Sequence, residues 1–158
     1  MTTTQYRKPI PVPDVDSKPF WDGCKQHELR IQRCSECFSY RWNPGPICYK
    51  CNSWNHEWVK LSGKGTIYSW IIIHQSNVPG FDEEVPYAVA LIALAEQSDC
   101  RMTTNIVECD PHTIYNNMPV EVVFDDITPE ISLPKWRPAL ERDRLKKAPA
   151  AAARKRRS

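Results

Sequence analysis

The sequence predicts a mainly β protein: a short N-terminal helix, a cysteine-held ribbon, then a small closed β-barrel. Three observations predict it. Four cysteines, Cys34, Cys37, Cys48 and Cys51, form two C-x2-C pairs within eighteen residues. From Gly63 onward, about five segments rich in β-branched and aromatic residues alternate with turn residues. Fourteen prolines against five glycines favour fixed turns over long helices.

Residues 1–16 are proline-rich and polar, as in an extended arm. In 17-SKPFWDGCKQHEL-29, Ser17 can cap a helix, Pro19 suits its first turn, and Phe20, Trp21, Cys24 and Leu29 supply an apolar face. Arm and helix make up residues 1–29, and the cysteine module spans 30–60. Between its cysteine pairs, FSYRWNPGPI can form a strand, a turn at Asn43–Pro46 and a return strand. The barrel is expected over 61–138, with strands in 65–76, 86–96, 101–108, 120–126 and 130–136. The loop 77-NVPGFDEEVPY-87 is a candidate interface or channel lip, against the plainer reading of a solvated turn. Residues 139–158 form a basic tail, and its low-complexity end 147-KAPAAAARKRRS-158 is expected to be disordered.

The cysteine spacing is that of a zinc ribbon. Each C-x2-C pair bends the backbone so that two sulfurs reach one metal, and two pairs complete a tetrahedron. Iron in a rubredoxin-like S4 site is the rival metal. Four cysteines leave no open coordination position, so the metal is expected to be structural: Zn2+ held by Cys34, Cys37, Cys48 and Cys51. Cys24, Cys100 and Cys109 stand alone and read as packing residues. None of His27, His56, His74 and His112 shares a motif with a cysteine, and His74 reads as a partly exposed strand residue. No catalytic residue is assigned, and no residue is assigned to cofactor binding.

The longest apolar run, 85-VPYAVALIALA-95, is about half of the ~20 residues a membrane-spanning helix needs. The N-terminal segment lacks the apolar core of a signal peptide, so a cytoplasmic location with reduced thiols is expected. The net charge of +2 is uneven. Nine Lys/Arg against two Asp/Glu lie from Arg137 onward, which leaves the body mildly acidic.

Ordered along the chain are 19-PFWDG-23, 28-ELRIQRCSEC-37, 48-CYKCNS-53, 57-EWVKLSGKGTIYSW-70, 86-PYAVALIAL-94, 103-TTNIVECDP-111, 118-MPVEVVF-124 and 133-LPKWRP-138. Together they resemble the zinc-ribbon/OB-fold, acyl-CoA-associated family known as domain of unknown function 35. The resemblance covers about Lys18 to Pro138. It implies a helical arm, a rubredoxin-like zinc ribbon and a C-terminal OB-fold barrel. It further implies a small subunit that associates with thiolase-superfamily enzymes such as thiolases, acyltransferases or retro-aldolases. The partner would carry the catalytic groups, and this chain would support assembly and help form the acyl-CoA entrance, where it could meet a CoA thioester. The sequence departs from the family pattern where glycine is usual. Phe38 follows Cys37, Asn117 precedes Met118, and 95-AEQSDCR-101 has no glycine.

Two other readings compete with a non-catalytic docking subunit. A zinc-ribbon/OB protein can bind single-stranded nucleic acid, but that needs a basic groove and the body here is acidic. A free-standing acyl-CoA binder would want cations for phosphates, and Lys60, Lys64 and Arg101 are candidates only by lying near strand ends. Six tryptophans and six tyrosines are compatible with a protein interface, although packing is the plainer role for each.

Overall fold

The computed structural model describes residues 6–139. The first five residues of the arm, and the predicted disordered tail from 140 on, lie outside the described residues. The helix α1 runs Lys18–Lys25, with Pro19 in its first turn. Ser17 occupies the N-cap position but makes no side-chain cap bond. Its hydroxyl instead donates to the Asp14 carboxylate at 2.5 Å, and the Lys18 amide donates to the Asp14 carbonyl at 2.9 Å. The Asp14–Ser17 turn thus consumes the oxygen that capping needs.

The helix stops through a paired backbone motif. The Glu28 amide donates to the Gly23 carbonyl and the His27 amide to the Cys24 carbonyl, with His27 left-handed at φ 55°. That turn stacks the His27 ring on Phe124, 5.3 Å between centroids, and sets its Nε2 3.0 Å from Asp126. The end of the helix is therefore tied to the barrel.

Three strands form the ribbon sheet: β1 (Arg30–Cys34), β2 (Tyr40–Arg41) and β3 (His56–Lys60), in the order β2-β1-β3. The expected return strand between the cysteine pairs is not there. Residues 42–55 come back unpaired with the sheet, and β3 takes the place beside β1, from Arg30 opposite Lys60 to Cys34 opposite His56. Pro44 and Pro46 lack the amide donors that a ladder requires, which accounts for the difference.

The barrel consists of β4 (Lys64–Ile73), β5 (Tyr87–Leu94), β6 (Arg101–Ile106), β7 (Pro119–Asp126) and β8 (Ser132–Pro138), with a 3-10 turn at Pro111–Thr113. All five expected strands are present, their ends shifted by a few residues. The closed order is β4-β5-β6-β8-β7, with β7 returning to β4 at Gly65 opposite Val120. Four junctions are antiparallel, and β6 meets β8 in parallel at Ile106 and Trp136. Alternate residues of β5, namely Ala88, Ala90, Ile92 and Leu94, face a core shared with Ile67, Met102, Val120 and Trp136. Phe20, Cys24, Leu29 and Ile31 belong to the same cluster, so helix, ribbon and barrel share one interior. Of the six tryptophans, Trp136 is fully buried and Trp54 is exposed.

The arm lies against the 77–87 loop. Arg7 pairs with Glu83, Lys8 pairs with Glu84, and the Lys8 ammonium sits 4.7 Å above the Phe81 ring. Part of the loop proposed as a lip is thus engaged within the chain.

Asp126 accepts from the Ser132 hydroxyl, faces His27 Nε2 at 3.0 Å and has Lys25 Nζ at 3.8 Å. The Ser132 hydrogen bond first, and then His27, hold its carboxyl below the ordinary aspartate value. A carboxyl depressed in the folded state stabilises above the unfolded-state pKa, and that contribution is lost as pH falls through the folded value. Wild type is therefore expected to exceed Asp126→Asn in urea midpoint near neutral pH, with the gap closing in acid below the ordinary aspartate range. An unchanged gap across that range would rule out the linkage.

Candidate metal centre

The two cysteine pairs fold into matching turns. In the first, the Phe38 amide donates to the Cys34 carbonyl at 3.1 Å and the Cys34 amide to the Ser39 carbonyl at 3.0 Å. In the second, the Asn52 amide donates to the Cys48 carbonyl at 2.9 Å and the Cys48 amide to the Ser53 carbonyl at 2.8 Å. Phe38 and Asn52, each directly after the second cysteine of its pair, are left-handed, both at φ 58°. This conformation turns the chain back so that both sulfurs of a pair point to one side.

The four sulfurs converge within 4.8 Å of one another. Cys34 Sγ lies 3.5 Å from Cys51 Sγ, and Cys37 Sγ lies 3.6 Å from Cys48 Sγ. A disulfide needs about 2.05 Å, whereas four thiolates at about 2.3 Å from one tetrahedral ion sit about 3.8 Å apart. The spacing fits a metal and not a disulfide pair. Hydrogen bonds prepare two of the sulfurs for it. The Ser39 hydroxyl and then its amide lower the Cys37 thiol to about 6, and the Cys37 and Glu36 amides lower Cys34. Cys51 accepts from the Ser53 amide, yet burial and the three neighbouring sulfurs push it up to about 12. A dication among the sulfurs would remove that mutual repulsion.

The lone cysteines are packing residues. Burial pushes Cys24 up to about 12 and Cys100 up to about 11, and also raises Cys109. The histidines have other company among the described residues. His27 meets Asp126, His56 Nδ1 lies 3.1 Å from the Trp54 carbonyl, and the exposed rings of His74 and His112 stand 5.9 Å apart. Of the cations considered for phosphate, Lys60 pairs with Glu28 at 3.0 Å and Arg101 lies over the Tyr68 ring at 3.6 Å. Sequence reasoning missed the buried pair Gln32 and Arg41, whose neighbours come from distant segments.

Phe38 is 61% exposed, so little packing offsets its left-handed backbone, beyond an Arg33 guanidinium 5.6 Å from the ring. Phe38→Gly is expected to stabilise the metal-loaded protein by about 0.5–1 kcal/mol, because a left-handed L-residue costs about 1–2 kcal/mol. Urea unfolding measures this, and a lower midpoint for the glycine variant would contradict it.

Two family models match the chain in tandem: "ChsH2, rubredoxin-like zinc ribbon domain" over residues 21–57 and "ChsH2, C-terminal OB-fold domain" over residues 58–125. A "DUF35 domain-containing scaffold protein" of Methanocaldococcus jannaschii is 38% identical over 106 residues, covering 66% of this chain and 73% of that protein. The chain belongs to the DUF35 family. A solved DUF35 relative, named "Ltp2-ChsH2(DUF35) aldolase", superposes with a TM-score of 0.75 at 38% identity, covering 83% of this chain and all of that one. A "Probable enoyl-CoA hydratase alpha subunit" of Thermomonospora curvata is 38% identical over 136 residues, or 86% of this DUF35 chain. The chain spans about two fifths of the length of the first curated relatives it matches. In this DUF35 chain, Phe38 and Asn117 both hold a backbone conformation that favours glycine. Both are left-handed, at φ 58° and 61°.

Proposed function

We propose that this DUF35 chain is the non-catalytic accessory subunit of an enzyme acting on acyl-CoA thioesters. It docks on a thiolase-like partner, such as a thiolase, an acyltransferase or a retro-aldolase. It steadies the complex and helps shape the acyl-CoA channel, while the partner makes or breaks the C–C bond beside the thioester. The observation that carries this reading is the match, over 83% of this chain and all of the other, to the solved chain named for an Ltp2-ChsH2 aldolase. The relative named for an enoyl-CoA hydratase supports the thioester class. Cys34, Cys37, Cys48 and Cys51 hold one zinc ion, which supplies rigidity and takes no part in the reaction. The ribbon of residues 30–60 and the barrel of 61–138 act as one docking body.

A phosphate-tracking role is disfavoured by ion pairing. Arg137 pairs with Glu108 and Glu121, Lys135 with Asp125, and Arg33 with Glu57. Tagged protein purified from its host cytoplasm is expected to bring a stoichiometric thiolase-like protein, identified by mass spectrometry. Recovery of the chain alone would favour a free acyl-CoA binder, and recovery with nucleic acid a single-strand binder.

A further inference from the structure

Between the ribbon and the β5–β6 turn lies an open cavity of about 310 Å³, the low end of small-ligand pockets. Tyr40, Trp42, Ile47 and Tyr49 give it largely aromatic walls, and Asp99 and Cys100 close it from the barrel side. Arg41 belongs to the same wall and is only 6% exposed. Its Nε donates to Gln32 Oε1 at 2.5 Å, and Gln32 is fixed in turn by the Gly45 amide at 2.9 Å. Both terminal guanidinium nitrogens are buried and have no hydrogen-bond partner among the described residues. A buried cation with unmet donors is costly, and a carboxylate meets a guanidinium edge with two parallel hydrogen bonds.

The surrounding charge selects the ligand. Lys50 is engaged by Asp99 at 3.4 Å, so these two offset each other and Arg41 remains as the one buried positive charge in the wall among the described residues. One net positive charge matches a monoanion, whereas a doubly charged phosphate would keep one charge uncompensated in the cleft. Flat aromatic walls suit a flat apolar body. We propose that this cleft binds a small monocarboxylate with a planar apolar body, its carboxylate on Arg41 and its body against Trp42 and Tyr49. The guanidinium end is covered, so the ligand enters by displacing rim side chains, of which Tyr49 and Ile47 are exposed enough to move. None of the four ligating cysteines lines the cleft.

Benzoate titrated calorimetrically into the full, zinc-loaded chain tests this, with inorganic phosphate and chloride at matched ionic strength. Saturable benzoate binding is expected, weaker by about tenfold or more in Arg41→Met. Gln32→Glu keeps the side-chain size but gives Arg41 an internal carboxylate, so it should also abolish binding while raising thermal stability. This second variant keeps the test open if Arg41→Met folds poorly. Equal benzoate affinity in wild type and Gln32→Glu would overturn the proposal, as would absence of benzoate binding or tighter binding of phosphate. If benzoate leaves the protein unaffected but Arg41→Met no longer co-purifies with the enzyme partner, Arg41 takes a partner carboxylate instead and the small-ligand site falls.

Discussion

Cys34→Ser is expected to lose its bound zinc and the fold of residues 30–60. Cys34 is buried at the end of β1, with Cys51 Sγ at 3.5 Å and the Glu36 amide donating to its sulfur at 3.4 Å. A serine hydroxyl keeps its proton at neutral pH and leaves an incomplete tetrahedron. Structural zinc in small ribbons contributes about 10–16 kcal/mol of apparent binding free energy, as large as the whole stability of a typical domain. The ribbon has little to replace it. β2 is two residues long, β3 is an edge strand without a fully buried residue, and residues 42–55 pair with no strand. Zinc per chain should fall from one to a small fraction, and amide exchange should rise over 30–60 before β4–β8. Cys24→Ser serves as the control. It puts a hydroxyl into a fully buried apolar site and should cost stability while keeping the metal. Full zinc occupancy in Cys34→Ser would refute the ligand assignment.

What was legible in the sequence follows from how local its physical cause is. A C-x2-C turn is set by four consecutive residues, so the two cysteine pairs announce one site before any fold is known. The barrel strands are legible because β-branched and aromatic runs bounded by turn residues have few other uses. Ser17 stands at the N-cap as its sequence position indicates, but the loss of its cap bond is not legible, because its competitor, Asp14, lies in a segment that looks structureless. The false return strand came from pairing the cysteine loop with its own neighbour, whereas β1 found β3 more than twenty residues downstream. The left-handed turns at His27, Phe38 and Glu108 carry no glycine to mark them. The Arg41 cleft was invisible for another reason. Its parts come from β1, β2, the cysteine loop and the β5–β6 turn, and a lone arginine in a sequence reads as surface.

Trp136→Ala is expected to cost about 3–5 kcal/mol, enough to remove much of a small domain's stability. Trp136 is fully buried and is the largest such side chain among the described residues. It also stands at the weakest seam of the barrel. β6 and β8 touch in parallel at one register pair, Ile106 and Trp136, and the Val107 amide donates to the Trp136 carbonyl at 2.8 Å. The ring, with the Ile92 side chain, crowds the space beside Gly65 in β4. A Cβ on Gly65 would come 2.7 Å from the Ala93 carbonyl and 3.3 Å from Trp136 Cζ3. The indole N–H has no acceptor among the described residues, so its contribution is volume and area rather than hydrogen bonding. Trp136→Phe should then cost far less than Trp136→Ala, about 1–2 kcal/mol, because it removes an unmet donor along with part of the volume. Urea unfolding of both variants in the zinc-loaded protein separates the effects. A large loss with alanine and a small one with phenylalanine means the seam is closed by packing. Equal losses would mean that the nitrogen has a partner the fold alone does not supply.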